Sequence, residues 1–279
     1  MLKGIPKSEY PRLLYRYVKE FFEVIKGEMS LKVYLGRNYP SLYKARLKEG
    51  EKLKARGIEV IVPRAYKYSS ITEVFNILGG KYSTPECSIK AGDIVLDCGA
   101  HFGFFSYFAL KKGAEKVYAF EPNPYVFEIL KKNVGLWDPN RIEPVNLALW
   151  FEKGNLDLRI ERNRTGPGAT ILTDLKGTFM EKAGNEYSEI VKVKTTTIDH
   201  FVKEKGLSRV DFIKIDTEGA ERGIIKGAKE TIRRFKPKIV VSAYHFHNDT
   251  VEIPELVLSI RGDYRFKLVG MGDEDLIFW

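Results

Sequence analysis

The sequence predicts an α/β fold in which a mostly parallel sheet carries helices on both faces. From Asp93 onward, short apolar runs alternate with amphipathic helical stretches, as in sheets built from strand–helix–strand units. Most of these runs are almost entirely apolar, which is typical of strands that are buried on both faces. Two further runs, at residues 265–269 and 276–279, are joined by a turn-rich stretch and predict a closing antiparallel hairpin.

The order of the predicted elements follows the apolar runs and the helical spacing between them. The predicted strands are residues 94–96, 117–120, 142–146, 212–215 and 239–243. The predicted helices are residues 103–112, 124–134, 220–235 and 251–260. Between residues 155 and 196 the pattern becomes β-rich and irregular.

The first 90 residues differ from the rest and are predicted to form an N-terminal extension to a domain at residues 91–279. Apolar residues recur at helical spacing in residues 10–25, which predicts an amphipathic helix. The basic run at residues 44–56 is interpreted as a solvated helix face. Residues 58–62 then predict a short strand, and Ser70, with Glu73 three residues later, predicts the start of another helix. We therefore expect a helical extension that contacts the substrate or a second subunit.

Composition and charge limit the classes of protein to which this chain can belong. The chain has 279 residues, of which 44% are hydrophobic, so disordered and fibrous classes are excluded. No apolar stretch approaches the ~20 residues that span a bilayer, and two cysteines are too few for a disulfide framework, so we expect a cytoplasmic protein. The net charge of +9 is compatible with nucleic acid, a phosphate-rich substrate or an anionic surface as partner, and composition alone does not choose among them. Glutamine is absent while Lys and Glu abound, which suggests a thermophilic source.

A glycine turn follows the first predicted strand. Asp97, Gly99 and Gly103 stand where the strand gives way to a helical pattern, in a spacing that differs from the Gly-x-Gly-x-x-Gly dinucleotide fingerprint. Glycines let the chain turn sharply and approach a ligand. Glu121, followed by Pro122, ends the next strand, where a carboxylate accepts hydrogen bonds from a ribose diol. Together they predict an adenosine-containing ligand; the alternative is that the glycines only permit close packing and that Glu121 is a solvated strand end.

Three motifs in this order resemble those of a known family. Residues 97–103 (DCGAHFG) and 120–122 (FEP) resemble the S-adenosyl-L-methionine site of class I methyltransferases, which have a Rossmann-like sheet. Residues 211–228 (DFIKIDTEGAERGIIKGA) narrow the resemblance to the FkbM family of methyltransferases, in which a Lys-Ile-Asp-x-Glu-Gly-x-Glu signature ends the fourth strand. The resemblance covers residues 91–244. It implies methyl transfer with S-adenosyl-L-methionine as cofactor.

The resemblance also implies which residues hold the cofactor. It places Asp97 and the glycine turn against the methionine moiety, Glu121 on the ribose and residues 146–148 beside the adenine. The full implied set is Asp97, Gly99, Ala100, His101, Gly103, Phe104, Glu121, Pro122, Asn146, Ala148 and Asp216. His101 stands where the family commonly has a short polar residue, so a ligand contact and a structural role both stay open for it.

A lysine interrupts the apolar strand at residues 212–215. A buried lysine is costly unless it is paired, so Lys214 is expected to have a carboxylate partner. Asp216, Asp97 and Glu121 are the candidates, because the predicted architecture brings all three to the same region.

The base that removes a proton from an acceptor hydroxyl is predicted among Asp216, Glu218 and His245. The family's usual acidic residue near the end of the fifth strand is replaced here, so a catalytic role for that position is open. Glu221 stands near a helix start, where the helix dipole alone also favours a carboxylate. His245 and His247 alternate and with carboxylates would suit a divalent ion, but no fixed ligand spacing supports one, so the sequence assigns no metal site.

The leading hypothesis is an S-adenosyl-L-methionine-dependent O-methyltransferase that acts on a hydroxyl of a sugar or small metabolite. An RNA (tRNA or rRNA) methyltransferase is the first alternative, although no RNA-binding motif appears. A non-catalytic nucleoside-binding protein is the second. Substrate recognition is assigned to the extension, Tyr82 and the loops at residues 163–170 and 245–249. We expect a small-molecule or glycan acceptor with negative charge; a homodimer through the helix at residues 10–25 stays open.

Overall fold

The structure, a computed structural model, describes residues 52–55, 58–63, 66, 73, 76, 77, 81–161, 168–172, 187–270 and 274–279. The helix predicted at residues 10–25 and the helix start predicted at Ser70 lie outside these residues. In the stretch after Ser70, Glu73, Asn76 and Ile77 are described and have helical backbone. The division at residue 90 into extension and domain stays a prediction.

The main sheet has seven strands, five of which run parallel. In chain order the strands are β1 Lys52–Ala55, β2 Ile58–Ile61, β3 Ile94–Cys98, β4 Lys116–Phe120, β5 Ile142–Val145, β6 Ala148–Leu149, β7 Gly154–Glu161, β8 Tyr187–Thr196, β9 Phe212–Ile215, β10 Lys238–Ser242, β11 Phe266–Val269 and β12 Asp275–Phe278. The main sheet has the order β11-β12-β10-β9-β3-β4-β5. Neighbours from β10 to β5 pair in parallel, whereas β12 pairs antiparallel with β10 and β11. The predicted parallel sheet with an antiparallel C-terminal hairpin is confirmed.

Six helices are described in full. They are α1 Phe104–Lys111, α2 Pro124–Trp137, α3 Ile198–Glu204, α4 Glu221–Lys226, α5 Lys229–Phe235 and α6 Asp249–Ile260. Proline at the first helical position and the side chain of Asn123, which accepts the N–H of Tyr125, start α2. Across the described ranges, none of the helices has the length and apolar character needed to cross a membrane.

The single helix predicted at residues 220–235 is two helices, α4 and α5. The carbonyl of Gly227 accepts the N–H of Asp199 at 3.0 Å, from outside the helix. The carboxylate of Asp199 in turn accepts the N–H groups of Glu230 and Thr231 at 3.0 and 2.8 Å and so caps α5. Because this cap comes from a different part of the chain, local spacing does not reveal the break.

Each face of the main sheet buries its own apolar cluster. On one face, α1 and α2 pack on strand residues such as Val117 and Val240. On the other face, α3, α4, α5 and α6 pack on strand residues such as Ile213 and Val241. The predicted placement of helices on both faces is confirmed.

The described start of the N-terminal region is a two-stranded ribbon. The prediction of a helix face at residues 44–56 is wrong for Lys52–Ala55, which forms β1 and pairs antiparallel with β2. Ile58 and Val60 of β2 are buried in the cluster under α1 and α2. Strand alternation in β2, which buries every second residue, therefore decides the local structure more than the charge spacing in β1 does.

The irregular region between residues 155 and 196 contains a second sheet of three strands, in the order β6-β8-β7. Leu158 and Ile160 of β7 are buried, and the residues beside them are more exposed, so this strand has one core face. Thr170 exchanges two backbone hydrogen bonds with Arg159, at 2.8 and 3.1 Å, and thereby joins residues 168–172 to β7.

Candidate active site

A cavity of about 310 Å³ lies at the carboxyl ends of β3, β4, β9 and β10. The chain leaves β3 toward β4 on one side, while β9 pairs with β3 on the other, and open α/β sheets bind ligands at such a reversal of strand order. The cavity residues that follow these strands are Gly99, Ala100, His101, Glu121, Pro122, Asp216, Thr217, Glu218 and Tyr244.

Gly99 makes the turn at the end of β3. Its φ is +81°, and its N–H donates to the carbonyl of Phe120 at 3.1 Å. A Cβ at this position would overlap the carbonyl oxygen of Asp216, so the tips of β3 and β9 approach closely only because the residue is glycine. Gly103 likewise has a φ of +89°, and a Cβ there would come within 2.7 Å of the Leu130 side chain. Close packing of protein atoms is thus confirmed as a reason for both glycines.

Glu121 is held rigidly at the end of β4. Its Oε2 accepts the N–H of His101 at 2.9 Å, and its Oε1 accepts the N–H of Asn123 at 2.8 Å. The side chain is buried, which raises the pKa of Glu121 to about 7 although the two N–H donors lower it. Glu121 is therefore a positioned carboxylate, and the alternative of a solvated strand end is wrong.

Lys214 and Asp97 form a buried ion pair beneath the cavity. Nζ of Lys214 lies 3.2 Å from Oδ1 of Asp97 and donates to the carbonyl of Gly99 at 2.6 Å. The other oxygen of Asp97 accepts the hydroxyl of Ser106 in α1 at 2.6 Å. Burial lowers the pKa of Lys214, but the negative charges of Asp97 and Asp216 outweigh it, and the net shift is upward. The expected carboxylate partner of Lys214 is Asp97.

Asp216 lines the cavity at the end of β9. Its Oδ2 accepts the hydroxyl of Tyr82 at 2.6 Å, and its Oδ1 accepts that of Tyr244 at 3.4 Å. Burial raises the pKa of Asp216, but the positive charges of Lys214 and Lys81 and the Tyr82 bond hold it well below its usual range. Asp216 is therefore ionised at neutral pH.

His245 is completely buried between carboxylates. Its Nε2 lies 3.5 Å from Oε2 of Glu218 and 4.0 Å from Oδ1 of Asp216, and its Nδ1 lies 3.2 Å from Oε1 of Glu221. Burial lowers the pKa of His245, but the charges of Glu221 and Glu218 outweigh it and raise the pKa well above its usual value. The pKa of Glu218 is raised, chiefly by burial.

Glu221 closes the turn between β9 and α4. Its Oε1 accepts the N–H of Thr217 at 2.8 Å, the hydroxyl of Thr217 at 3.0 Å and the N–H of Gly219 at 3.4 Å. The pKa of Glu221 is lowered, because His245 and these donors outweigh the effect of burial. Glu221 thus shapes the turn that carries Glu218, and the helix dipole is only part of the reason for its position.

The residues predicted for the site divide between the cavity wall and the layer behind it. Those that line the cavity are Gly99, Ala100, His101, Phe104, Glu121, Pro122, Ala148, Asp216 and Glu218. Those that do not line it are Asp97, Gly103, Asn146 and His245. Asn146 supports the site from behind, since its Nδ2 donates to the carbonyl of Glu121 at 2.8 Å. His247 is exposed and does not join the cluster around His245.

The apolar wall of the cavity comes largely from the second sheet and the loop that precedes it. Sequence reasoning placed Leu147 and Ala148 beside the adenine and Ala169 in a recognition loop, but it missed Leu149, Leu158 and Ile171, which also line the cavity. Alternation of apolar and polar residues along β7 was the signal that could have identified this wall.

Backbone strain concentrates in the same place. The non-glycine residues with positive φ among the described residues are Tyr82 (64°), His101 (50°), Glu218 (54°) and Lys236 (47°). The first three line the cavity, and only Lys236, which ends α5, does not. Such conformations cost roughly 1–3 kcal/mol each and persist where the surrounding structure fixes them.

Three relatives align with between 52% and 59% of this chain. The methyltransferase sdnD of Sordaria araneosa is 26% identical over 178 residues, which is 56% of this chain and 68% of the relative. The 2-O-methyltransferase NoeI of Sinorhizobium fredii is 28% identical over 52% of this chain and 61% of its own length. The hexuronic acid methyltransferase AglP of Haloferax volcanii is 23% identical over 59% of this chain and 61% of its own length.

A solved structure has the same fold. The crystal structure of the methyltransferase FkbM from Methylobacillus flagellatus is 20% identical, with a TM-score of 0.53, over 78% of this chain and 56% of the other. The model of the methyltransferase FkbM domain matches residues 97–267, which include every charged residue of the cavity described above except Glu73 and Lys81. The chain belongs to the FkbM family of methyltransferases.

Proposed function

We propose that this protein is an S-adenosyl-L-methionine-dependent O-methyltransferase whose acceptor is a hydroxyl of a sugar or another small metabolite. The observation that carries the proposal is that one cavity joins the buried carboxylate of Glu121 to the charged pair Asp216 and Glu218. An acid that binds a ribose and a base for an acceptor hydroxyl are the two groups that this reaction needs from the protein.

The residues at the Glu121 end suit the cofactor. Each oxygen of Glu121 already accepts one backbone N–H, which leaves further lone pairs for the two hydroxyls of a ribose. Leu147, Ala148 and Leu149 offer an apolar wall against which an adenine would pack. When bound, the sulfonium cofactor supplies the activated methyl group and its own leaving group.

Glu218 is the cluster member best placed to take the acceptor's proton. Its side chain is 23% exposed and lines the cavity, whereas His245 is fully buried. Asp216 also lines the cavity, but its Oδ2 is held by the hydroxyl of Tyr82. The carboxylate of Glu218 would accept the hydroxyl proton as the acceptor oxygen takes the methyl group that the bound cofactor would supply.

The names of two relatives and the position of the Lys81 side chain support the proposed acceptor class. The names of two relatives, 2-O-methyltransferase and hexuronic acid methyltransferase, describe hydroxyl and sugar-acid chemistry. Lys81 lines the cavity close to Tyr82, with Nζ 4.7 Å from the centre of the Tyr82 ring. Its positive charge would offset part of the repulsion between an acceptor carboxylate and the acidic residues of the cavity.

The cytoplasm is the proposed compartment. Cys87 and Cys98 are both free thiols and both buried. Burial raises the pKa of the Cys87 thiol to about 12, so the reactive thiolate form is suppressed. Unpaired cysteines of this kind are usual where the environment is reducing.

Transfer of radiolabelled methyl groups to a panel of sugars, uronic acids and hydroxylated metabolites tests the reaction. We expect label in an acid- and base-stable O-methyl group of one acceptor class. Glu218→Gln is expected to lower kcat about 100-fold, while calorimetric affinity for S-adenosylhomocysteine stays within about twofold. Glu121→Gln is expected to weaken that affinity at least ~10-fold.

The matched control is Glu128→Gln, which changes an exposed carboxylate on α2 that pairs with Lys131. We expect it to leave both kcat and cofactor affinity unchanged. Full turnover by Glu218→Gln would show that Glu218 is not the base. Label that appears only in RNA would show that the acceptor is RNA and not a sugar or small metabolite.

A further inference from the structure

Three potential ligand groups converge at the acceptor end of the cavity. One carboxylate oxygen of Asp216, one of Glu218 and one ring nitrogen of His245 lie within 4.8 Å of one another. Ligand atoms at 2.1 Å from an octahedral ion stand about 3.0 Å apart when adjacent and about 4.2 Å apart when opposite. The Nε2 of His245 is 3.5 Å from Glu218 and 4.0 Å from Asp216, which is within that span.

The buried imidazole provides an independent observation. His245 is 0% exposed, yet neither ring nitrogen makes a hydrogen bond to any residue that the structure describes. Instead, carboxylate oxygens of Glu218 and Glu221 lie at ion-pair distance from the ring, at 3.5 and 3.2 Å. These carboxylates favour the protonated ring, and a cation on Nε2 would take the place of the proton on that nitrogen.

The two sides of the ring differ in the manner expected of a metal ligand. Nδ1 faces Glu221, whose Oε1 is fixed by three donors from Thr217 and Gly219 and which is itself buried. Nε2 faces Asp216 and Glu218, both of which line the cavity. A carboxylate behind one nitrogen and a cation on the other is the usual order around metal-binding histidines.

The local charge points the same way. Asp216, Glu218 and Glu221 bring three carboxylates around one imidazole. The positive charge of Lys214 also attracts Asp216, but Nζ of Lys214 is already paired with Asp97. A divalent cation would compensate the excess negative charge that faces the cavity.

We propose that Asp216, Glu218 and His245 bind one divalent cation of the Mn²⁺ and Mg²⁺ class. Carboxylate oxygens suit these ions, and the imidazole nitrogen joins them once the ion has displaced its proton, so binding releases a proton. Its role rests on the proposed function: the cation would bind the acceptor hydroxyl and ease the loss of its proton to Glu218 or to solvent. Binding itself does not depend on that function.

Titration of the chelator-treated protein with Mn²⁺, without cofactor or acceptor, tests binding. The loss of the electron paramagnetic resonance signal of free Mn²⁺ measures the bound fraction. We expect one Mn²⁺ per chain, displaced by excess Mg²⁺. Glu218→Gln is expected to weaken binding at least ~10-fold, and Glu221→Gln about 10- to 100-fold through the orientation of His245.

Two controls keep the outcome clear. Glu128→Gln on α2 should bind Mn²⁺ like the original chain, and circular dichroism with S-adenosylhomocysteine calorimetry should show that Glu218→Gln is folded. Absence of Mn²⁺ binding below millimolar concentration, or equal binding by Glu218→Gln, overturns the proposal. Methyl transfer at full rate in chelator would remove the cation's role but leave the proposed function intact. If the protein binds Mn²⁺ but transfers no methyl group, the cation site would stand and the proposed function would be wrong.

Discussion

The hydroxyl of Tyr82 lies 2.6 Å from Oδ2 of Asp216, so a residue that precedes the main sheet holds a charged group at the tip of β9. Tyr82 is buried, packs edge-on against Phe105 with ring centres 5.6 Å apart, and has a positive φ. Burial and the charge of Asp216 raise the pKa of Tyr82 well above its usual value, so it stays a hydrogen-bond donor. The segment before β3 is therefore part of the site.

Tyr82→Phe is expected to lower kcat about 10- to 100-fold. The reason is the loss of a hydrogen bond to a charged group, a bond that contributes ~1.5–3 kcal/mol. The acceptor KM should change less, because Tyr82 positions Asp216. Steady-state kinetics with the acceptor found in the radiolabel screen gives both constants. Tyr264→Phe is the matched control: it also loses a buried 2.6 Å bond, to the carbonyl of Pro237, but far from the cavity. Equal kcat in the two variants would show that the Tyr82 contact is only structural.

The affinity for S-adenosylhomocysteine is expected to rise with pH through about 7. The pKa of Glu121 is raised to about 7 in the free protein, chiefly by burial. Ribose hydroxyls donate to the ionised carboxylate, so binding favours loss of the proton and tightens as the pH rises. A group with this pKa is about one-tenth ionised at pH 6 and nine-tenths at pH 8, which predicts about a tenfold gain.

Calorimetry in two buffers of different ionisation enthalpy should detect proton release at pH 6.5 in the original chain. Glu121→Gln cannot ionise, so its weaker affinity should be independent of pH and release no proton. A pH dependence that survives in this variant would assign the titration to another group.

Gly99→Ala is expected to destabilise the protein by several kcal/mol. The positive φ costs roughly 1–2 kcal/mol for alanine, and the overlap of Cβ with the carbonyl of Asp216 adds roughly 1–3 kcal/mol. Gly92→Ala isolates the first contribution, because Gly92 has a φ of +87° but no atom within 4 Å of its Cβ position. Denaturant unfolding of the two variants measures the difference. Equal losses would show that β3 and β9 can separate at little cost.

Lys214→Met is expected to cost about 3–5 kcal/mol of unfolding free energy, because it leaves the charge of Asp97 buried and unpaired. Lys116→Met removes a cation from a partly exposed pair with Glu143, where the N–O distance is 3.6 Å. That change should cost less than about 1 kcal/mol. Chemical denaturation compares the two, and similar losses would contradict the buried pair.

Much of the sheet edge that carries the cavity could be predicted, because the sequence signals for it are local. Strands β3, β4, β9 and β10 are mostly apolar, and Gly99, Glu121 and Asp216 directly follow three of them. The period of a buried strand and the side chain at its end are both readable within ten residues. Lys214 was informative for the same reason, since a cation in an apolar run requires a partner.

The parts that could not be predicted depend on contacts between distant residues. The break between α4 and α5 is capped by Asp199, about thirty residues earlier. The apolar wall of the cavity depends on how β7 and β8 pair, and the burial of His245 depends on Glu221 of α4. Tyr82 could be named as a recognition residue, but nothing local indicated its bond to Asp216.

The positive φ angles of Tyr82, His101 and Glu218 also set the rules for any mutant library that aims at a new acceptor. At these three positions the backbone restricts the choice before side-chain chemistry does. Glycine, asparagine and aspartate enter the left-handed region readily, whereas valine, isoleucine and threonine are strongly disfavoured there. A library with all twenty residues would therefore contain many destabilised variants at these positions, whereas the backbone places no such restriction on Lys81 and Tyr244, which have ordinary φ values.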